Sequence, residues 1–252
     1  LLAAIKSHSV RTPVNDAHIP IRPVSRQGCQ NTLFGLLDSP EKPGTPRAIE
    51  VLDYSAGDAI YRQGQVGHHL HAVCKGLVRL EQKLPDGGTR VVRLLQAGSV
   101  FGLELLASQT FMHTAISVGK SRVCRTPAPS LQRLAEHDPA LHQSLMLEWC
   151  DALHKADFVI SHLSTGSARQ RVARLLLHMS QSARHHGVCQ APPRDNMASL
   201  LGLTSETVSR TTAAFKREGM VTEECGVFTC DAQRLTEVSQ DAETAPARFL
   251  ET

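Results

Sequence analysis

The sequence predicts an α+β protein: an N-terminal antiparallel β-roll, one long helix, and a C-terminal helix–turn–helix with a β-hairpin wing. Three observations carry this. Between Ile49 and about Pro127, short β-prone runs alternate with glycines. From Pro139 the apolar residues switch to helical spacing. The stretch LGLTSETVSRTTAAFKREG, Leu201–Gly219, then sets a Gly-Leu-Thr turn between two short helical runs.

Taken in order, residues 1–47 form an arm rich in Pro, Ser and polar residues, with one short helix expected near Asn31–Leu37. Residues 48–138 form the roll. Its runs are IEVLDY, AIYRQG, HLHAVCKG, LVRLEQKL, TRVVRLLQAG, TAISVG and SRVCRTP. PDGG, Pro85–Gly88, is a hairpin signal, and many short strands with frequent turns point to a roll or jelly roll. Residues 139–166 hold the long helix and a hinge. Leu141, Leu145, Trp149, Ala152, Ala156, Val159 and Leu163 approximate the seam of a coiled coil, so this helix is expected to pair with a second copy. STGS, Ser164–Ser167, interrupts it. Residues 167–235 contain a helix with Val172, Leu175, Leu176 and Met179 on one face, the helix–turn–helix, and a hairpin turning at Cys225-Gly226. Residues 236–252 read as a tail.

Composition narrows the classes. The apolar content of 41% supports buried cores, while a formal charge of +3 is too small to argue for a polyanion by itself. The charge is local, however: Ser167–Cys230 carries eight Arg or Lys against five acids. No apolar run approaches a membrane span and no signal peptide is evident, so no membrane association is expected. The seven cysteines are scattered and form no CxxC. That fits a reducing cytoplasm better than a disulfide framework.

In a helix–turn–helix the second helix enters the DNA major groove and its first residues reach base edges. Here the first helix would be Arg194–Leu201. Ala198 is small at the crossing, Gly202 serves the turn, Thr204 caps the second helix and Val208 is its buried position. Ser205, Glu206, Ser209 and Arg210 then face outward as base readers. Arg can donate twice to guanine, and Glu can accept from cytosine. Thr204, Thr207, Thr211 and Lys216 are candidate phosphate contacts.

The order of these parts, and LLGLTSETVSR in particular, resembles the CRP/FNR family of bacterial transcription regulators over about residues 48–232. The resemblance implies a cyclic-nucleotide-binding-like roll, a homodimer, double-stranded DNA and RNA polymerase as partners, and no enzymatic activity. Glu206, Ser209 and Arg210 match the Glu-x-x-Ser-Arg of the FNR branch, which implies a two-fold symmetric site with TTGAT-like halves. The family's phosphate cassette maps onto GSVFGLELLASQTFMHTAISV. Gly102 fits, the acid comes one place late as Glu104, and the arginine position holds His113 before Thr114. A buried cyclic phosphate wants a permanent bidentate cation, so weak or no cAMP binding is expected.

Cys124 falls where the FNR branch has its β-roll cluster cysteine, but the arm offers only Cys29. An iron–sulfur cluster of that kind needs four thiolates and is not expected. Cys124 reads instead as a small buried hydrophobe. Cys124 and Cys189 remain redox candidates, with Cys225 also near the DNA-binding helices. Haem is the other sensor reading, with His113, His68, His69 and His71 as candidate ligands; the default is no cofactor. His69 and His71, on one face of a strand, also raise a cupin-like metal enzyme. Residues 72–78 lack the acid that such a site needs, so neither an enzyme nor a metal site is expected.

Overall fold

The computed structural model describes residues 49–182 and 187–240. The expected short helix near Asn31–Leu37, Cys29 and residues 241–252 of the tail lie outside the described residues.

Eight strands build the roll: β1 (Glu50–Tyr54), β2 (Ala59–Tyr61), β3 (His69–Lys75), β4 (Leu77–Lys83), β5 (Thr89–Gln96), β6 (Val100–Phe101), β7 (Thr114–Ser117) and β8 (Ser121–Pro127). They pair antiparallel in two sheets, ordered β1-β8-β3-β6 and β2-β7-β4-β5. Each β-prone run of the sequence supplies one of these strands; the short β6 was not expected. Leu52, Tyr61, Leu70, Val78, Leu80, Leu95, Phe101 and Val123 lie buried in the core between them. The β4–β5 turn forms at PDGG, where Gly87 takes φ 84° and the Leu84 N–H donates to the Gly88 carbonyl at 2.8 Å. Directly opposite residues of β1 and β8 form ion pairs, Glu50–Arg125 at 2.6 Å and Asp53–Arg122 at 2.8 Å. Such partly exposed cross-strand pairs fix register more than they add stability.

The same register corrects the cysteine expectation. β3 runs beside β8 with Ala72 opposite Cys124, and Cys74 and Cys124 are joined by a disulfide. Their sequence separation of 50 hides a pair that only strand pairing creates. Cys124 is fully buried, as expected, but it is not a free thiol.

Two helices close the roll. α1 (Ala128–His137), which the strand-rich reading of this segment missed, buries Ala128, Leu131 and Ala135. α2 (Pro139–Phe158) starts where Pro fills the first helical position and Asp138 caps it. The Asp138 carboxylate accepts from the N–H groups of Ala140 (3.1 Å) and Leu141 (3.3 Å). After Phe158 the helix continues as one π-helical turn, Val159–Leu163, before breaking at Ser164–Gly166.

The expected seam needs correction. Leu141 and Leu145 are buried in the core of their own roll, and the half-buried Ala152 packs against it, so the two leucines turn inward. Leu163 is buried in the core of the DNA-binding head, with Val159 against it. The apolar side chains that α2 and the π-turn leave to solvent are Met146, Leu147, Trp149, Leu153 and Ile160. Seven-residue steps from Met146 to Leu153 and from Leu153 to Ile160 align three of them, with Trp149 alongside. One apolar stripe of the helix, with Leu141 and Leu145, seals the roll, and a second, rotated stripe stays exposed.

The C-terminal part has its own core. It comprises α3 (Ala168–Ser182), β9 (Val188–Gln190), α4 (Arg194–Leu201), α5 (Ser205–Arg217), β10 (Val221–Glu224), β11 (Val227–Cys230) and α6 (Ala232–Gln240). Val172, Leu175, Leu176, Met179, Met197, Leu201, Val208, Phe215, Phe228 and Leu235 fill it. Residues 236–240, expected as tail, continue α6 and bury Val238. Leu77 and Val91 of the β4–β5 hairpin join this core, so the head rests on its own roll. Polar contacts fix the seat. The Val91 N–H donates to Ser199 Oγ at 2.8 Å, Arg79 to Asn196 Oδ1 at 3.3 Å, and Gln96 to the Met179 carbonyl at 3.1 Å.

Candidate nucleic-acid interface

α4 ends at Gly202, whose φ of 63° is left-handed. A Cβ there would be strained, which is why the turn carries glycine. The Leu203 N–H closes the end by donating to the Ala198 carbonyl at 2.9 Å. Thr204 then caps α5: its backbone is extended and its Oγ1 accepts from the Thr207 N–H at 3.2 Å. Ala198, Val208, Thr212 and Phe215 are buried where the two helices and the core meet. Thr212 spends its hydroxyl on the Val208 carbonyl, 2.8 Å away.

The outward face divides into engaged and unengaged side chains. Glu206, Ser209 and Arg210 are exposed and make no side-chain hydrogen bond or ion pair among the described residues. Ser205 differs from the expectation: it is half-buried and its hydroxyl donates to the Asp195 carboxylate, tying the start of α5 to the start of α4. Nothing in the spacing of the two residues announced that bond. The phosphate candidates are also partly engaged. Thr207 Oγ1 shares a hydrogen bond of 2.9 Å with Thr204 Oγ1, and Thr211 Oγ1 donates to the Thr207 carbonyl at 2.8 Å. Lys216 reaches Glu223 of β10, where Arg194 also binds at 3.1 Å.

Glu223 is therefore a hub of the wing that the sequence did not single out. The Lys216 ammonium, with Arg194 adding to it, holds its carboxyl below the usual range. Arg194 also lies over the Phe228 ring at 5.1 Å. The wing turns at Cys225 and Gly226, both left-handed at φ 49° and 77°, as a two-residue hairpin demands. Arg169 ion-pairs with Glu218 at the far end of α5 and covers the Phe215 ring at 4.8 Å.

The candidate effector residues sit in the roll. Gly102, at φ 79°, precedes a short 3-10 turn, Leu103–Leu106. Glu104 is turned to the backbone, accepting from the Met112 N–H at 3.2 Å. Thr114 is buried and accepts from the Gln63 N–H at 3.0 Å. His113 is half-buried with Nδ1 lacking a partner. Burial lowers its pKa, and the charge of Arg93 adds to this while Glu104 opposes it.

Aromatic rings fill the space beside these residues. Tyr61 stacks on Phe111 with centroids 3.6 Å apart, and His71 stacks on Phe101 at 5.2 Å. The Phe111 ring comes so close to Gly67 that a Cβ there would stand 2.5 Å from it. His71 is buried with Nδ1 unpartnered, and burial, with His69 and Arg125 adding, pushes its pKa down to about 3. Arg93 is the permanent cation whose charge reaches both Tyr61 and His113. Among the described residues no three His, Cys, Asp or Glu side chains are grouped as metal ligands. A cavity of about 420 Å³ lies elsewhere, where the end of β5, α2 and α3 meet, lined in part by Arg93, Glu148, Lys155, Phe158 and His178.

Comparison with known proteins fits this layout. Residues 51–138 match the cyclic nucleotide-binding domain and residues 170–238 the Crp-like helix-turn-helix domain. The chain is 30% identical over 179 residues to the transcriptional regulator SdrP of Thermus thermophilus, covering 68% of this chain and 85% of that one. It is 30% identical over 176 residues to the cyclic AMP receptor protein of the same organism, covering 67% of this chain and 77% of that one. The solved structure of FixK2 from Bradyrhizobium japonicum superposes with a TM-score of 0.70 at 25% identity, covering 77% of this chain and 99% of that one.

Proposed function

Because the chain belongs to the CRP/FNR family and is a DNA-binding transcription regulator, we propose that it acts as a homodimer on a palindromic, TTGAT-like site and needs neither cAMP nor an iron–sulfur cluster. The observation that carries this reading is the exposed, unengaged trio Glu206, Ser209 and Arg210 at the capped start of α5. Arg210 reads a guanine, Glu206 accepts from a cytosine amino group, and Ser209 lets the backbone approach. Ser205 positions this face through Asp195 rather than reading a base. Thr204, Thr207 and Thr211 line the backbone side, and Lys216 braces the wing.

Two heads can read a palindrome only if a dimer sets their spacing. Met146, Trp149, Leu153 and Ile160 form the stripe that pairs with a second copy. Independence from cAMP rests on His113 at the arginine position and on the Tyr61–Phe111 stack. No catalytic step is assigned to the chain. It acts in the cytoplasm, with RNA polymerase as its further partner.

The test is binding to a symmetric duplex with TTGAT half-sites. Arg210→Ala should weaken specific binding by about 1–3 kcal/mol per half-site and relax base choice at one position of each half. Unchanged affinity and specificity would place the reading face elsewhere.

A further inference from the structure

Four of the described cysteines stand in facing pairs. One pair, Cys74 and Cys124, is already bonded within the roll. The other lies in the sheet that supports the wing. Cys189 is in β9 opposite Phe228 of β11, and the Cys230 N–H donates to the Gly187 carbonyl at 2.7 Å. Cys189 and Cys230 are thus diagonal neighbours on one face of adjacent strands. Both are free and nearly buried, 2% and 7% exposed.

The strand register brings the two thiols within reach of each other's influence. Donation from Cys189 holds Cys230 below the usual thiol range, while that bond and burial push Cys189 up. Cys230 is thus the side chain on which a thiolate is favoured, with Cys189 as its resolving partner on the adjacent strand.

We propose that Cys189 and Cys230 form an oxidisable dithiol of the DNA-binding head, which a peroxide converts to an intramolecular disulfide tethering β9 to β11. The Cys230 thiolate attacks one oxygen of hydrogen peroxide, the O–O bond breaks, and hydroxide leaves with a sulfenic acid formed on Cys230. The Cys189 sulfur then attacks that sulfur, its proton leaving with the displaced oxygen as water. Overall two thiols and one peroxide give one disulfide and two waters. The sulfurs lose two electrons and the peroxide gains them. A thiol reductant reverses the bond by exchange.

The position gives the bond leverage. β9 leads through Ala191, Pro192 and Pro193 directly into Arg194 and α4, and Cys230 leads through Asp231 into α6. A covalent S–S contact is shorter than a thiol hydrogen bond. Closing it therefore pulls the β9–β11 pair under the Arg194–Glu223–Lys216 hub and shifts the start of α4, to which Ser205 is tied. The DNA consequence rests on the reading assigned above; the disulfide does not.

The experiment uses the full chain, fully reduced, then treated with hydrogen peroxide, alkylated under denaturing conditions and digested for mass analysis. A linked Cys189–Cys230 peptide should appear and vanish on reduction. Cys189→Ser and Cys230→Ser should each abolish it, with circular dichroism confirming that at least one variant is folded. Peroxide should also weaken binding of the wild-type protein to the symmetric duplex several-fold, while leaving the affinity of the folded serine variant unchanged. Peptides showing Cys230 oxidised alone, or linked to Cys225, would overturn the pairing. A linked peptide with unaltered DNA affinity would overturn the tether's effect. Failure of the reduced protein to bind the duplex specifically would instead count against the DNA-reading assignment and leave the peptide result standing.

Discussion

At the start of α5, Glu206, Ser209 and Arg210 face solvent with their polar groups unengaged, whereas in the roll the Tyr61 hydroxyl and Nδ1 of His71 and of His113 are buried and find no partner among the described residues. The first arrangement costs nothing while water serves the side chains. The second leaves groups desolvated, a penalty of about 1–3 kcal/mol for each uncompensated atom. The difference teaches where recognition is built. Glu206, Ser209 and Arg210 stay solvated at the start of α5, while Tyr61 and Phe111 stack on each other inside the roll.

The largest expected effect tests the closed side. Phe111→Ala removes the ring that stacks on Tyr61 and should destabilise the roll by about 3–5 kcal/mol, read by denaturant unfolding. If the ring is only filling, base choice by the head should not change. A loss well under 1 kcal/mol would mean that the cassette is not packed as a core, and the contrast with the head would fail.

His71 sharpens the same contrast through pH. Its folded pKa of about 3 lies below the ordinary value of 6.5, so the unfolded chain binds its proton first on acidification. Its contribution is complete above about pH 6.5 and is lost as pH falls toward 3, at roughly 1.4 kcal/mol per pH unit. Unfolding measured from pH 7 to pH 4 should show this slope, and His71→Phe should flatten it. Equal slopes in the two proteins would show that the imidazole is not held neutral in the core.

How much of this was legible follows the same division. The strands, the PDGG hairpin, the Gly202 turn and the Thr204 cap could be read directly because each rests on local chemistry: φ preference, capping and alternation. α1 was missed because it follows a strand-rich segment with no cap residue to announce it. Leu141, Leu145 and Trp149 all fit one heptad, so spacing alone does not separate the buried stripe of α2 from the exposed one. Only the position of the roll decides that the two leucines turn inward while Trp149 stays 38% exposed. The Cys74–Cys124 bond, the diagonal placement of Cys189 and Cys230, the Ser205–Asp195 bond and the Glu223 hub all join residues far apart in sequence or set by strand register. Spacing carries no signal for such contacts.

The smallest effect tests the open side. Thr204 organises the start of α5: its Oγ1 satisfies the Thr207 N–H and braces Thr207 Oγ1. Thr204→Ala leaves the first turn of α5 with an unsatisfied donor and should cost about 1 kcal/mol of head stability. Thr204→Ser keeps the oxygen and should recover most of it. Because Glu206 and Arg210 project from that turn, the alanine variant should also lose some specific affinity for the symmetric duplex, and less than Arg210→Ala loses. If alanine and serine behaved alike in both unfolding and binding, the cap would not be what holds the reading groups in place. The solvated face would then owe its geometry to the Ser205–Asp195 bond and to packing at Val208 instead.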